Sequence, residues 1–147
     1  MTPIPAVGVV CFRGDHVLLI RRGKAPRMGE WSLPGGRIEP GEKAIDSALR
    51  ELREETGVEA EIVGLVDVVD GLFPDAGVHY VLIDYVALWR SGEPVAGDDA
   101  LEAAFFDADA ADAALAWDET RRIIATARAM VAALAMPDSM ASPAAEG

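Results

Sequence analysis

Between Gly36 and Val58 the chain reads GRIEPGEKAIDSALRELREETGV, and no other stretch restricts the fold as much. Pro40-Gly41-Glu42 marks a helix start, with acidic residues where the helix dipole favours them. From Glu42 to Thr56, Ile45, Ala48, Leu49 and Leu52 recur at spacings of three and four, which predicts one buried stripe. Gly57 ends the helix in a left-handed cap. At about 100° per residue, Glu51, Glu54 and Glu55 occupy a contiguous arc beside the stripe, and Arg50 lies one turn before Glu54. Such an arc is either a solvated acidic face or a cluster that holds a cation. Its place beside the apolar stripe predicts partial burial. The Gly35-Gly36 turn nearby is able to aim a main-chain carbonyl at the same point. An oxygen-only donor set of this kind suits Mg²⁺ or Mn²⁺.

The flanking sequence predicts strands on both sides of this helix. Residues 6–12 and 16–20 are apolar β-branched runs joined by Arg13-Gly14-Asp15, a hairpin pattern. Arg21, Arg22, Lys24 and Arg27 follow as the one dense basic stretch, either a solvated loop or a phosphate contact. Trp31 reads as core or as a base-stacking surface. Glu61 to Phe73 and Val78 to Trp89 form a second hairpin around Pro74-Asp75-Ala76-Gly77. His79, with no second histidine near it, reads as a packed or edge residue. The loop from Ser91 through Asp98, Asp99 and Glu102 is either solvated or closes over a site and adds a carboxylate. A short strand at 103–106, a weak helix at 107–116 and a helix from Asp118 to Met136 complete the pattern. The last helix places Ile124, Ala127, Val131 and Leu134 on one face. This order predicts a mixed sheet between helices, one domain over residues 1–136, and a disordered tail over 137–147.

Charge and composition exclude some partners. A net charge of −12 argues against a nucleic-acid polymer, whose backbone needs a positive surface, but not against a small phosphate bound through cations. Cys11 is the single cysteine and reads as a small buried apolar residue. No run approaches the ~20 apolar residues of a membrane span, and Met1 to Pro5 lacks a signal-peptide pattern. The expected location is cytoplasmic, with no membrane partner.

Gly36, Glu42 and the run Arg50-Glu51-Leu52-Arg53-Glu54-Glu55-Thr56-Gly57-Val58 match every fixed position of the Nudix box. The chain resembles that family over roughly residues 5–135. The resemblance implies a Nudix-type α/β/α sandwich that hydrolyses a nucleoside diphosphate linked to another group, with two or three Mg²⁺ or Mn²⁺ ions. It implies Glu51, Glu54, Glu55 and the Gly35 carbonyl as metal ligands. Arg50 would orient a box glutamate, and Glu42 would play a supporting part. The residue that takes the proton from water differs between family members. Here Glu54 and Glu55 come first, then Asp99 and Asp98, with Glu102 the remaining loop acid.

The box specifies a reaction and leaves the substrate open. Pro74 lies sixteen residues beyond Val58, which resembles the marker of ADP-ribose pyrophosphatases; it also suits a hairpin turn. The run HYVLIDYVALW is similar to the small bacterial ADP-ribose pyrophosphatase group. ADP-ribose or a similar ADP-sugar, cleaved to AMP and a sugar phosphate, is the leading expectation. Alternatives are a MutT-like triphosphate pyrophosphohydrolase that removes oxidised nucleotides, and a non-catalytic nucleotide sensor. Arg22 and Arg37 are the candidates for substrate contact. A homodimer through an exposed edge of the long hairpin is a further expectation.

Overall fold

The long apolar run near the N-terminus becomes the central strand of the molecule. A computed structural model describes residues 1–136, and the expected tail over 137–147 lies outside the described residues. Strand β1 (Pro3–Arg13) alternates its side chains between two cores. Val7, Val9 and Cys11 point to one face of the sheet, and Val10 and Phe12 to the other. On the first face they meet Ala48 and Leu52 of helix α1 (Ala44–Thr56), together with Leu18 and Val58. On the second they meet Ile123, Ile124 and Ala127 of α3 (Asp118–Leu134), with Ala111 of α2 (Ala108–Ala114). A strand buried on both faces reads as a continuous hydrophobic run, which is why β1 shows no polar alternation. Fully buried side chains such as Leu52 and Ile123 each contribute on the order of 2 kcal/mol by leaving water.

The remaining strands are β2 (His16–Arg22), β3 (Trp31–Ser32), β4 (Gly35–Arg37), β5 (Glu59–Phe73), β6 (Val78–Ser91) and β7 (Ala100–Phe106). The main path runs β3-β2-β1-β6-β5, with β4 paired to β1 and β7 to β2. Only β1 and β6 run parallel; the other pairs are antiparallel, so the sheet is mixed as expected. The edge of β1 away from β6 is shared. Ala6 to Gly8 pair with β4, whereas Phe12 and Arg13 pair with β2. The sheet therefore forks at β1, and a cavity opens at this fork.

Several sequence expectations are corrected. Helix α1 begins at Ala44, not Glu42: Lys43 has an extended backbone at the N-cap. Ile45 is 47% exposed: it lies in the first turn, and full burial begins only at Ser47. The buried face is Ser47, Ala48, Leu52, Glu55 and Thr56. Leu134 is exposed at the end of α3, where Ile123 supplies the buried residue that the pattern had left out. Glu102 belongs to β7, where it faces Arg21 across the strand pair at 2.6 Å and does not line the cavity. Cys11 is buried, and burial pushes its thiol up to about 12. His79 is a half-buried residue of the β5–β6 hairpin. Among the described residues no helix is long and apolar enough to cross a membrane.

Candidate active site

A partly buried arginine network organises the acidic face of α1. Glu42 receives Arg50 through two bonds, Nε to Oε2 at 2.7 Å and Nη2 to Oε1 at 2.9 Å. Nη1 of the same guanidinium donates to Glu51 and to Glu54, each at 3.0 Å. Nη2 also reaches the Arg37 carbonyl at 3.2 Å, which ties the network to β4. The Arg50 guanidinium beside Glu42 holds its carboxyl down to about 2. A bidentate pair of this kind fixes direction as well as charge. Arg50 is thus a splint that aims two glutamates, and Glu42 holds the splint.

The three glutamates have unlike surroundings. Glu54 is half exposed, and Glu51 is mostly covered. Glu55 is 7% exposed and sits in the middle of the buried helix face, further inside than the helical wheel suggested. Its Oε1 accepts from the Gly35 N–H at 3.3 Å, and its Oε2 is buried with no partner. Burial, then contact with Glu51, pushes its carboxyl up to about 9. A buried acid facing another acid persists where a cation lies between them or a proton is retained. Gly36 makes this possible: a Cβ there would stand 2.5–2.7 Å from the Glu51 carboxylate. Gly35 packs as tightly on Val7, whose carbonyl would lie 2.0 Å from an added Cβ. Among the described residues no group of three acids is already gathered around one point, since Glu54 leans on Arg50.

The loop before β7 is latched onto the end of α1. Val95 and Gly97 donate their N–H groups to the carbonyls of Thr56 and Glu55, each at 2.9 Å. The latch brings Asp98 and Asp99 to the cavity wall, the second of the two readings of that loop. Asp99 is bound to Lys24 at 2.7 Å, and its carbonyl accepts from Gly23 N–H at 2.7 Å. Asp98 has a left-handed backbone, φ 48°. Arg22 and Arg37 also line the cavity; Arg22 Nε is held by the Pro26 carbonyl at 2.6 Å, and Arg37 is exposed.

The cavity is about 400 Å³ and extends well past these acids. It is also lined by Phe73, Leu82, Asp84, Trp117 and Thr120. The Phe73 and Trp117 rings lie 5.6 Å apart, and the Arg27 guanidinium stands 5.4 Å from each. Sequence reasoning missed all of this. Trp31, the aromatic it had weighed, packs edge-on against Phe106 at 4.8 Å and stays out of the cavity. Phe73 was legible only as the last residue of a strand. Pro74 starts the one-turn 3-10 helix that closes the β5–β6 hairpin and so holds Phe73 at the cavity.

Comparison with known proteins agrees with this geometry. An ADP-ribose pyrophosphatase of Methanocaldococcus jannaschii is 37% identical over 105 residues, covering 71% of this chain and 62% of that protein. The chain thus matches less than two thirds of that relative's length. Among solved structures, a MutT NUDIX hydrolase from Burkholderia pseudomallei superposes with a TM-score of 0.76 at 31% identity, covering 86% of this chain and 98% of the other. The NUDIX domain of Shewanella oneidensis NrtR, complexed with ADP ribose, has a TM-score of 0.76 at 26% identity and covers 89% of this chain and 90% of that one. The NUDIX domain model matches residues 2–127. With the box glutamates on α1, the mixed sheet between helices and this match over most of its length, the chain belongs to the Nudix family.

Proposed function

We propose that this protein hydrolyses a nucleoside diphosphate linked to another group, with ADP-ribose or a similar ADP-sugar as substrate and AMP plus a sugar phosphate as products. The observation that carries the reading is the Glu55 carboxylate. One of its oxygens is buried without a partner beside Glu51, at the wall of a nucleotide-sized cavity. The donor set fits a hard divalent cation: oxygen atoms alone, partly buried, with Gly36 leaving room for Glu51. Glu51, Glu54, Glu55 and the Gly35 carbonyl would hold Mg²⁺ or Mn²⁺, two or three ions with substrate present. When bound, such ions neutralise the diphosphate and make an attacking water more acidic.

The chain's own groups divide the remaining work. Glu54, the most exposed of the three, is the first candidate to take the proton from water, with Glu55 next and Asp99 and Asp98 as alternatives on the latched loop. Arg50, splinted by Glu42, keeps Glu51 and Glu54 aimed. Arg22, Arg37 and Lys24 are the cations available to phosphate oxygens. The similarity to an ADP-ribose pyrophosphatase and to a domain complexed with ADP ribose supports the substrate. The similarity to a MutT NUDIX hydrolase supports a second reading, cleavage of nucleoside triphosphates with release of pyrophosphate. Two copies would pair through the outer edge of β5, where Leu65, Val68 and Leu72 are exposed.

The test is incubation with Mg²⁺ and a panel of nucleotides, with products separated by chromatography. AMP and ribose phosphate from ADP-ribose are expected. Preferred turnover of nucleoside triphosphates would replace this reading with the second one.

A further inference from the structure

Asp84 is a buried acid that the hydrolytic groups do not use. It is 5% exposed, lies on β6 and lines the cavity. It shares the α3-facing side of that strand with Leu82 and Val86. Among the described residues no donor binds its carboxylate, and its charge is disfavoured by burial and by Asp67 and Glu119. Arg122, whose charge it feels, is committed to Asp67 at 3.1 Å and Glu119 at 2.9 Å. The fold nevertheless makes room for the group. A Cβ on Gly8 would lie 2.2 Å from Asp84 Oδ1, so the carboxyl rests on the bare backbone of β1. An acid this buried, with no protein donor on it and its side chain at a cavity wall, is costly to keep charged and is placed to meet a ligand.

Its position relative to the box glutamates is set by strand register. Asp84 pairs with Gly8 across β6 and β1, and Gly8 pairs with Gly35 across β1 and β4. Asp84 therefore stands two strand spacings, about 10 Å, from the glycine whose N–H meets Glu55. That separation matches a nucleotide laid out from its phosphate to the far edge of its base. Phe73 and Trp117 supply aromatic surface to the same cavity.

We propose that Asp84 is the base-reading residue of this site, pairing with the Watson–Crick edge of an adenine held against Phe73 and Trp117. The inference rests on the nucleotide-hydrolysis reading above and adds the residue that selects the base. Adenine presents a ring nitrogen that accepts beside an amino group that donates. A neutral carboxyl, which donates once and accepts once, is its complement. Guanine presents two adjacent donors and requires the ionised form. Burial, then the neighbouring acids Asp67 and Glu119, favour the neutral form.

The test is calorimetric titration of Mg²⁺ complexes of ADP and GDP into the full chain and into Asp84→Ala and Asp84→Asn. ADP is expected to bind at least tenfold tighter than GDP. Asp84→Ala should remove that preference by weakening ADP alone, whereas Asp84→Asn, with one donor and one acceptor, should keep it. Thermal midpoints of both variants at neutral pH should equal or exceed that of the native protein. An unchanged ADP preference in Asp84→Ala overturns the proposal. So does a native preference for GDP that Asp84→Asn abolishes, or a fall of several degrees in the midpoints of both variants, which would make Asp84 structural. Binding of diphosphates does not depend on which bond is cut. Adenine preference without ADP-ribose turnover would therefore remove the substrate reading and leave this one standing.

Discussion

The two ends of the cavity are built in opposite ways. At the acidic end, Glu51, Glu54, Glu55 and the Arg50 that aims them come from one helix, α1, and the glycines beneath them from the adjoining β4. At the aromatic end, Arg27, Phe73, Asp84 and Trp117 come from four separate segments brought together by the sheet fork and by α3. The acidic end is held by charge-assisted bonds that converge on one guanidinium. The aromatic end is held by packing and keeps Asp84 without a partner. A reactive group must be held in fixed geometry, and a local network on one helix provides that. A recognition surface needs only complementary shape and a few polar points, so its parts are free to come from anywhere.

This contrast is open to direct attack. The largest effect is expected at the acidic end: Glu54→Gln should lower turnover by about 10²–10⁴-fold while nucleotide binding is partly retained. Asp99→Asn serves as its control. Asp99 and Lys24 are a largely exposed pair, at 62% and 64%, so losing the pair should change stability by less than about 1 kcal/mol. Turnover within a few-fold of native assigns the base to α1; a loss as large as that of Glu54→Gln would move it to the loop.

The next effect is expected at Gly36. Alanine there would put a carbon against the Glu51 carboxylate and push it off its position. Mg²⁺ affinity, measured by titration, should fall by about 10–100-fold. Unaltered affinity would show that Glu51 has room to shift without leaving the cation.

The third effect belongs to the aromatic end and is read as stability against pH. Burial and neighbouring acids raise Asp84 from 3.8 to about 7. Below the unfolded value both states hold the proton, so the group costs nothing. Between the two values the folded state binds more protons than the unfolded one, and stability falls as pH rises. Above about 7 both states are ionised and the penalty is complete, at most about 4 kcal/mol. Denaturant titrations of the native protein between those values should show this decline, and Asp84→Asn should flatten it. Parallel curves would mean that Asp84 is satisfied by water in the folded state.

How much was legible differs by element. The helix around Leu52 followed from periodicity, and the strands around Val9 and Val86 from continuous apolar runs, because those strands are buried on both faces. The ends of elements were less legible. Ile45 and Leu134 fit the pattern yet are exposed, since a pattern carries no information on where the packing partner stops. Glu102 looked like its loop neighbours until β7 extended to include it. Trp117 drew no notice beside Trp31, although only Trp117 lines the cavity.

The sequence by itself determined the acidic helix, its arginine, its glycines and the class of ion that suits them. These groups lie within a few turns of one another, and helical geometry alone converts their spacing into position. Only the tertiary structure decided that Glu55 is the most buried of the three and that the loop at Asp98 and Asp99 is latched to α1. It also set Asp84 across Gly8 from Gly35 and the acidic face of α1. Those facts depend on strand order, register and the fork at β1, which arise from contacts between residues far apart in the chain.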